Sequence, residues 1–145
     1  MSILIDARTA ALNTLSEQCI KAARCYREAA GAAESEGLRS RLEALHAERE
    51  DFAETVDRLI AHEMDTLPKA VDPEQLGLGE LVLKTAAMLA DDTASRLVAG
   101  CVDADRAILD TLDDEALTED TLPPRLGTCL EVIRGAVRRA VEDLA

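Results

Sequence analysis

A chain of 145 residues fits one domain, and at that length a single apolar core can be buried without disulfides or a structural metal. The formal net charge of −13, from 29 acids against 16 bases, argues against nucleic acid or an anionic membrane as a partner. One tyrosine, one phenylalanine and no tryptophan leave little π surface on which to stack a nucleobase or flavin, so no such cofactor is expected.

Alanine, leucine, glutamate, aspartate and arginine dominate, and no β-branched run of strand length is bounded by turn signals, so the fold class is all-α. The cysteines Cys19, Cys25, Cys101 and Cys129 lack CxxC spacing, and the N-terminus lacks the charged and apolar regions of a signal peptide. The expectation is a reduced, cytoplasmic protein. No stretch approaches about eighteen consecutive apolar residues, so no membrane span is expected.

In chain order, Ile5 to Ala33 carries Ile5, Leu12, Leu15, Cys19, Ala22, Tyr26, Ala29 and Ala33 on one face of a long amphipathic helix. The group Glu34-Ser35-Glu36-Gly37 breaks the pattern, with Gly37 expected to take the left-handed conformation that ends a helix. A second helix, Leu38 to Glu63, follows an antiparallel hairpin turn. Its seam is Leu38, Leu42, Leu45, Arg49, Phe52, Val56, Leu59 and Glu63. Arg49 is the arginine in that apolar stripe, and burial of its fixed charge requires a carboxylate or several carbonyls.

The turn-rich stretch from Asp65 to Gly79 is the longest connection. Leu81, Val82, Thr85, Met88 and Leu89 form a short apolar helix, and Asp91-Asp92 caps the start of another, with Ala94, Val98, Cys101, Asp105, Ile108 and Leu112 inward. The third helix is therefore expected to be broken near Asp91. Residues Asp113 to Thr121 read as an acidic loop. Pro123-Pro124 then opens a final helix with Leu126, Leu130, Ile133, Val137, Ala140 and Leu144 inward.

The run Leu12-Asn13, then Cys19, Tyr26-Arg27-Glu28-Ala29-Ala30, Glu48-Arg49 with Phe52-Ala53, and Leu122-Pro123-Pro124 resembles a bacterial four-helix-bundle family of unknown function within the ferritin-like group. The resemblance spans nearly the whole chain. It implies a ferritin-like antiparallel four-helix bundle forming a single domain over residues 1–145. Ferritin-like enzymes hold two irons with one carboxylate from each of two helices and a Glu-x-x-His from each of the other two. Here the helix-one slot falls on Lys21, the helix-two slots fall on Arg49 and Phe52, and helix four offers Ile133 and Val137 with no histidine. Only Asp105 in helix three stands at a plausible ligand position. The resemblance thus implies the scaffold without a di-iron site or its oxidase, ferroxidase or peroxidase chemistry.

Among the remaining polar residues, Glu43 and His46 make a literal Glu-x-x-His that flanks the seam, where a solvated helix face accounts for it. His62, with Glu63 and Asp65, lies at a helix end where the macrodipole favours a cation. Glu43, His46, His62 and Asp105 are the candidate metal ligands, and a metal site needs several that converge. Arg49 and Asp105 form a candidate buried pair, placed mid-helix on facing stripes. The other reading has Arg49 snorkelling to solvent or to a surface carboxylate such as Glu28. Tyr26 and Phe52 are the candidate core aromatics, and Tyr26 is read as a core residue with a bonded hydroxyl, not as a radical or acid group. Cys19, Cys101 and Cys129 are expected to be inert core thiols, with Cys25 off the main stripe as the one thiol to test.

Three functional readings follow. The first is a non-catalytic helical module that self-associates or presents a surface to a protein partner, with no cofactor. The second is an unusual metal-binding member of the ferritin-like group using Asp105 with Glu28 and a histidine. The third is a binder of a small apolar ligand between helices.

Overall fold

The computed structural model describes residues 7–63, 93–118 and 122–145. The described residues are all-helical and contain no strand, and they form five helices: α1 (Ala7–Ala32), α2 (Glu36–Glu63), α3 (Thr93–Leu112), α4 (Glu115–Thr118) and α5 (Pro124–Leu144). No helix among these residues is long and apolar enough to cross a membrane. The expectations for Ile5, the turns of residues 65–79, the helix over Leu81 to Leu89 and the break near Asp91 lie outside the described residues.

Helix α1 packs most extensively on α2, then on α3, and also touches the short α4. The predicted stripe from Leu12 to Ala33 is buried throughout. Ala11, Ala23 and Ala30 are buried beside it, because a helix with neighbours on two sides needs two apolar faces. Alanine dominates those faces. Small side chains of this kind let helix axes approach closely, which is how a core with so little aromatic volume fills its space. Helix α5 packs on α3 and touches α2 less.

The turn between α1 and α2 differs from the sequence expectation. Gly37 lies within the first turn of α2, outside the left-handed region, and does not terminate α1. Ser35 instead starts the second helix: its hydroxyl accepts the Leu38 backbone N–H at 3.1 Å and its carbonyl accepts that of Arg39 at 3.0 Å. The end of α1 is closed from α2, where the Arg39 guanidinium donates to the Ala33 carbonyl at 3.0 Å. A cation at a helix C-terminus also complements the macrodipole. The serine therefore outranks the glycine as the punctuation of this turn.

The buried stripe of α2 also departs from the predicted seam in its second half. Leu42, Leu45, Arg49 and Val56 are buried as expected, but the next deep positions are Ala53 and Ile60, while Leu38, Phe52 and Leu59 are only half-buried and pack against the edge of the core. The predicted seam repeats every seven residues, a period of 3.5. A straight helix has about 3.6 residues per turn and drifts by about 20° per heptad, so the inward face moves on to the next residue as the helix lengthens.

Residues 113–118, expected as loop, contain α4, and its Leu117 is buried against the core. Asp114 nucleates this turn by accepting the Ala116 N–H on its side chain at 2.9 Å and the Leu117 N–H on its carbonyl at 2.9 Å. Pro124 occupies the first turn of α5, and the Pro123 carbonyl accepts the Gly127 N–H at 3.0 Å. Leu126, Leu130, Ile133, Val137 and Ala140 of α5 are buried, with Leu144 half-buried at the end.

Three substitutions test this description. Ile60→Ala is expected to cost roughly 2–5 kcal/mol by urea unfolding, as for a fully buried aliphatic chain, and Leu59→Ala less than half as much; the reverse order would place the predicted heptad seam inside. Ser35→Ala is expected to cost about 1 kcal/mol through loss of the cap, and an unchanged unfolding midpoint would reject the serine as the start signal.

Candidate functional site

The centre of the structure is polar. Arg49 of α2 and Asp105 of α3 are both completely buried, and they meet as a two-bonded fork. Arg49 Nε donates to Asp105 Oδ1 at 2.9 Å and Nη2 donates to Oδ2 at 3.0 Å. Tyr26 of α1, also completely buried, donates its hydroxyl to the same Oδ2. Three helices thus contribute to one buried hydrogen-bonded group. Both oxygens of the carboxylate are engaged, and among the described residues no buried side-chain nitrogen or oxygen lacks a partner.

The guanidinium is also held above and at its rim. Its central carbon lies 5.4 Å from the centroid of the Tyr26 ring and 5.6 Å from that of Phe52, within cation–π range. The remaining terminal nitrogen, Nη1, donates to Glu48 Oε1 at 2.6 Å. Glu48 is 40% exposed in its side chain, so this contact reaches from the interior to the surface. Arg49 therefore combines the interior pairing with a contact at the edge, although that carboxylate is Glu48 and not the Glu28 that sequence suggested. Phe52 serves as a half-buried lid over the cation, which corrects its expected place in the core.

The electrostatics follow from burial and charge. Burial by itself works against the Arg49 charge, but the hydrogen bonds and negative charge of Asp105 outweigh it and hold the guanidinium above its ordinary value. Burial pushes the Tyr26 phenol far up, and the adjacent carboxylate adds to the shift because a phenolate there would face a second anion. Burial likewise pushes the Cys19 thiol up to about 12 and raises Cys101 and Cys129. Thiols held protonated are poor nucleophiles and poor metal ligands. Cys19 and Cys101 are buried as expected, whereas Cys129 is half-buried against the core, as Cys25 is.

The other candidate residues lie elsewhere. Glu43 is exposed. His46 is partly buried, with Nδ1 at 2.7 Å from the Ala23 carbonyl oxygen and Nε2 paired with Glu50, so its ring ties α1 to α2. Glu28 lines the same open cleft between α1 and α2 as His46, and His62 is exposed in the last turn of α2. Lys21 is exposed, and its neighbour Ala22 points inward. Among the described residues, no three His, Cys, Asp or Glu side chains converge as a metal site would require. Asp105, the one plausible inward ligand, already accepts three hydrogen bonds.

Several polar cross-links escaped the sequence reading. Ser16 donates to Asp57 at 2.7 Å, Thr111 to Gln18 at 2.6 Å, and Arg134 to Asp113 at 2.6 Å and to the Leu112 carbonyl at 2.9 Å. Their only sequence signal is a polar or charged residue beside an apolar stripe, which does not name a partner.

The geometry makes two quantitative expectations. Asp105→Leu is expected to destabilise by roughly 3–5 kcal/mol because Arg49 is left charged and buried, whereas the double replacement Arg49→Met with Asp105→Leu returns close to wild type. Additive losses in that double-mutant cycle would show that the two residues are not coupled. Because Tyr26 is the chain's single tyrosine, phenolate absorbance reports this site alone. Its folded pKa is raised above the ordinary value of 10.0, so the stability it contributes is present below that pH and is lost as pH rises beyond it. Phenolate absorbance is expected to appear together with unfolding, and ionisation near the ordinary value with the helices intact would contradict the bonded phenol.

No family model, curated protein or solved structure matches this chain.

Proposed function

We propose that this protein is a non-catalytic, ferritin-like antiparallel four-helix bundle that works by self-association or by presenting its surface to a protein partner. The bundle reading is supported by contacts that run in opposite chain order between neighbouring helices. His46 meets Ala23 while Asp57 meets Ser16, and Asp105 meets Tyr26 while Thr111 meets Gln18. The ferritin-like reading rests on the motif resemblance together with the placement of Arg49 and Asp105 at the middle of the packed helices.

The observation that carries the functional reading is the saturation of Asp105 by Arg49 and Tyr26. An interior carboxylate is the group through which a ferritin-like centre binds metal or moves protons. Here it neutralises a fixed internal cation. Binding a metal at Asp105 would require removal of that cation or exposure of its charge without a partner, either of which is costly. The chemistry that faces outward is a strongly acidic surface, and an acidic helical surface is suited to recognition of another protein.

Elemental analysis after equilibration with iron(II) and with manganese(II), combined with sedimentation velocity over a range of concentrations, tests this function. The expected result is no stoichiometric metal and an association that deepens with concentration or on addition of a protein partner. Stoichiometric metal that is retained by the native chain and lost in Asp105→Asn would transfer the assignment to the metal-binding reading with Glu28 and a histidine.

A further inference from the structure

We draw no further inference here: the strongest candidate, the open cleft between α1 and α2 lined by Arg24, Arg27, Glu28, His46, Glu50 and Glu54, is a surface of mixed charge and nothing in the structure shows what covers it.

Discussion

The charge on Arg49 is the constraint around which the interior is arranged. A guanidinium cannot escape its charge by losing a proton at any ordinary pH, so burying it commits the surrounding residues to neutralising and bonding it. Asp105 supplies the counter-charge, Tyr26 ties down the carboxylate, and Glu48 takes the remaining terminal nitrogen at the rim. Each partner comes from a defined level of its own helix. The pairing therefore acts as a register mark: sliding α3 against α2 by one turn, about 5.4 Å, would separate fork from carboxylate and leave two charges buried alone.

That role is one of specificity more than of net stability. Replacing a buried ion pair with apolar residues of similar volume is often neutral or stabilising, whereas breaking one is costly. A core made of small aliphatic side chains is poorly defined by shape alone, because alanine and leucine stripes pack acceptably in more than one register. In this chain the polar centre distinguishes among those registers. The two apolar clusters lie to either side of it, one around Leu15, Val56, Ile108 and Ile133 and the other around Ala29, Leu42, Leu97 and Ala140.

The polar centre was legible in the sequence because it violates a pattern. Arg49 and Asp105 interrupt apolar stripes of helical period, and a charge at an inward position has few ways to be satisfied. Tyr26 was legible as a core residue, but its hydroxyl partner was not, since periodicity gives a face and not a distance. Glu48 was missed because it is the sequence neighbour of Arg49 and sits on the helix edge, where a long side chain can still curl back. The departures elsewhere have equally local causes. Counting in heptads placed Phe52 and Leu59 where the true helical period places Ala53 and Ile60. Gly37 reads as a helix terminator, but Ser35 caps the start of α2 and the Arg39 guanidinium closes the end of α1, so the turn needs no left-handed glycine. The one-turn helix at Glu115–Thr118 is shorter than the window over which a 3.6-residue period can be recognised.

The central claim is that Arg49 is enclosed, charged and permanently bonded at the heart of the helices. Hydrogen exchange at its Nε–H, resolved by nitrogen-15 NMR with the exposed Arg106 as an internal comparison, measures that enclosure directly. The account predicts exchange from Arg49 only through global unfolding, so that its rate follows the stability of the whole protein. Exchange as fast as at Arg106, in a protein that remains folded, would contradict it.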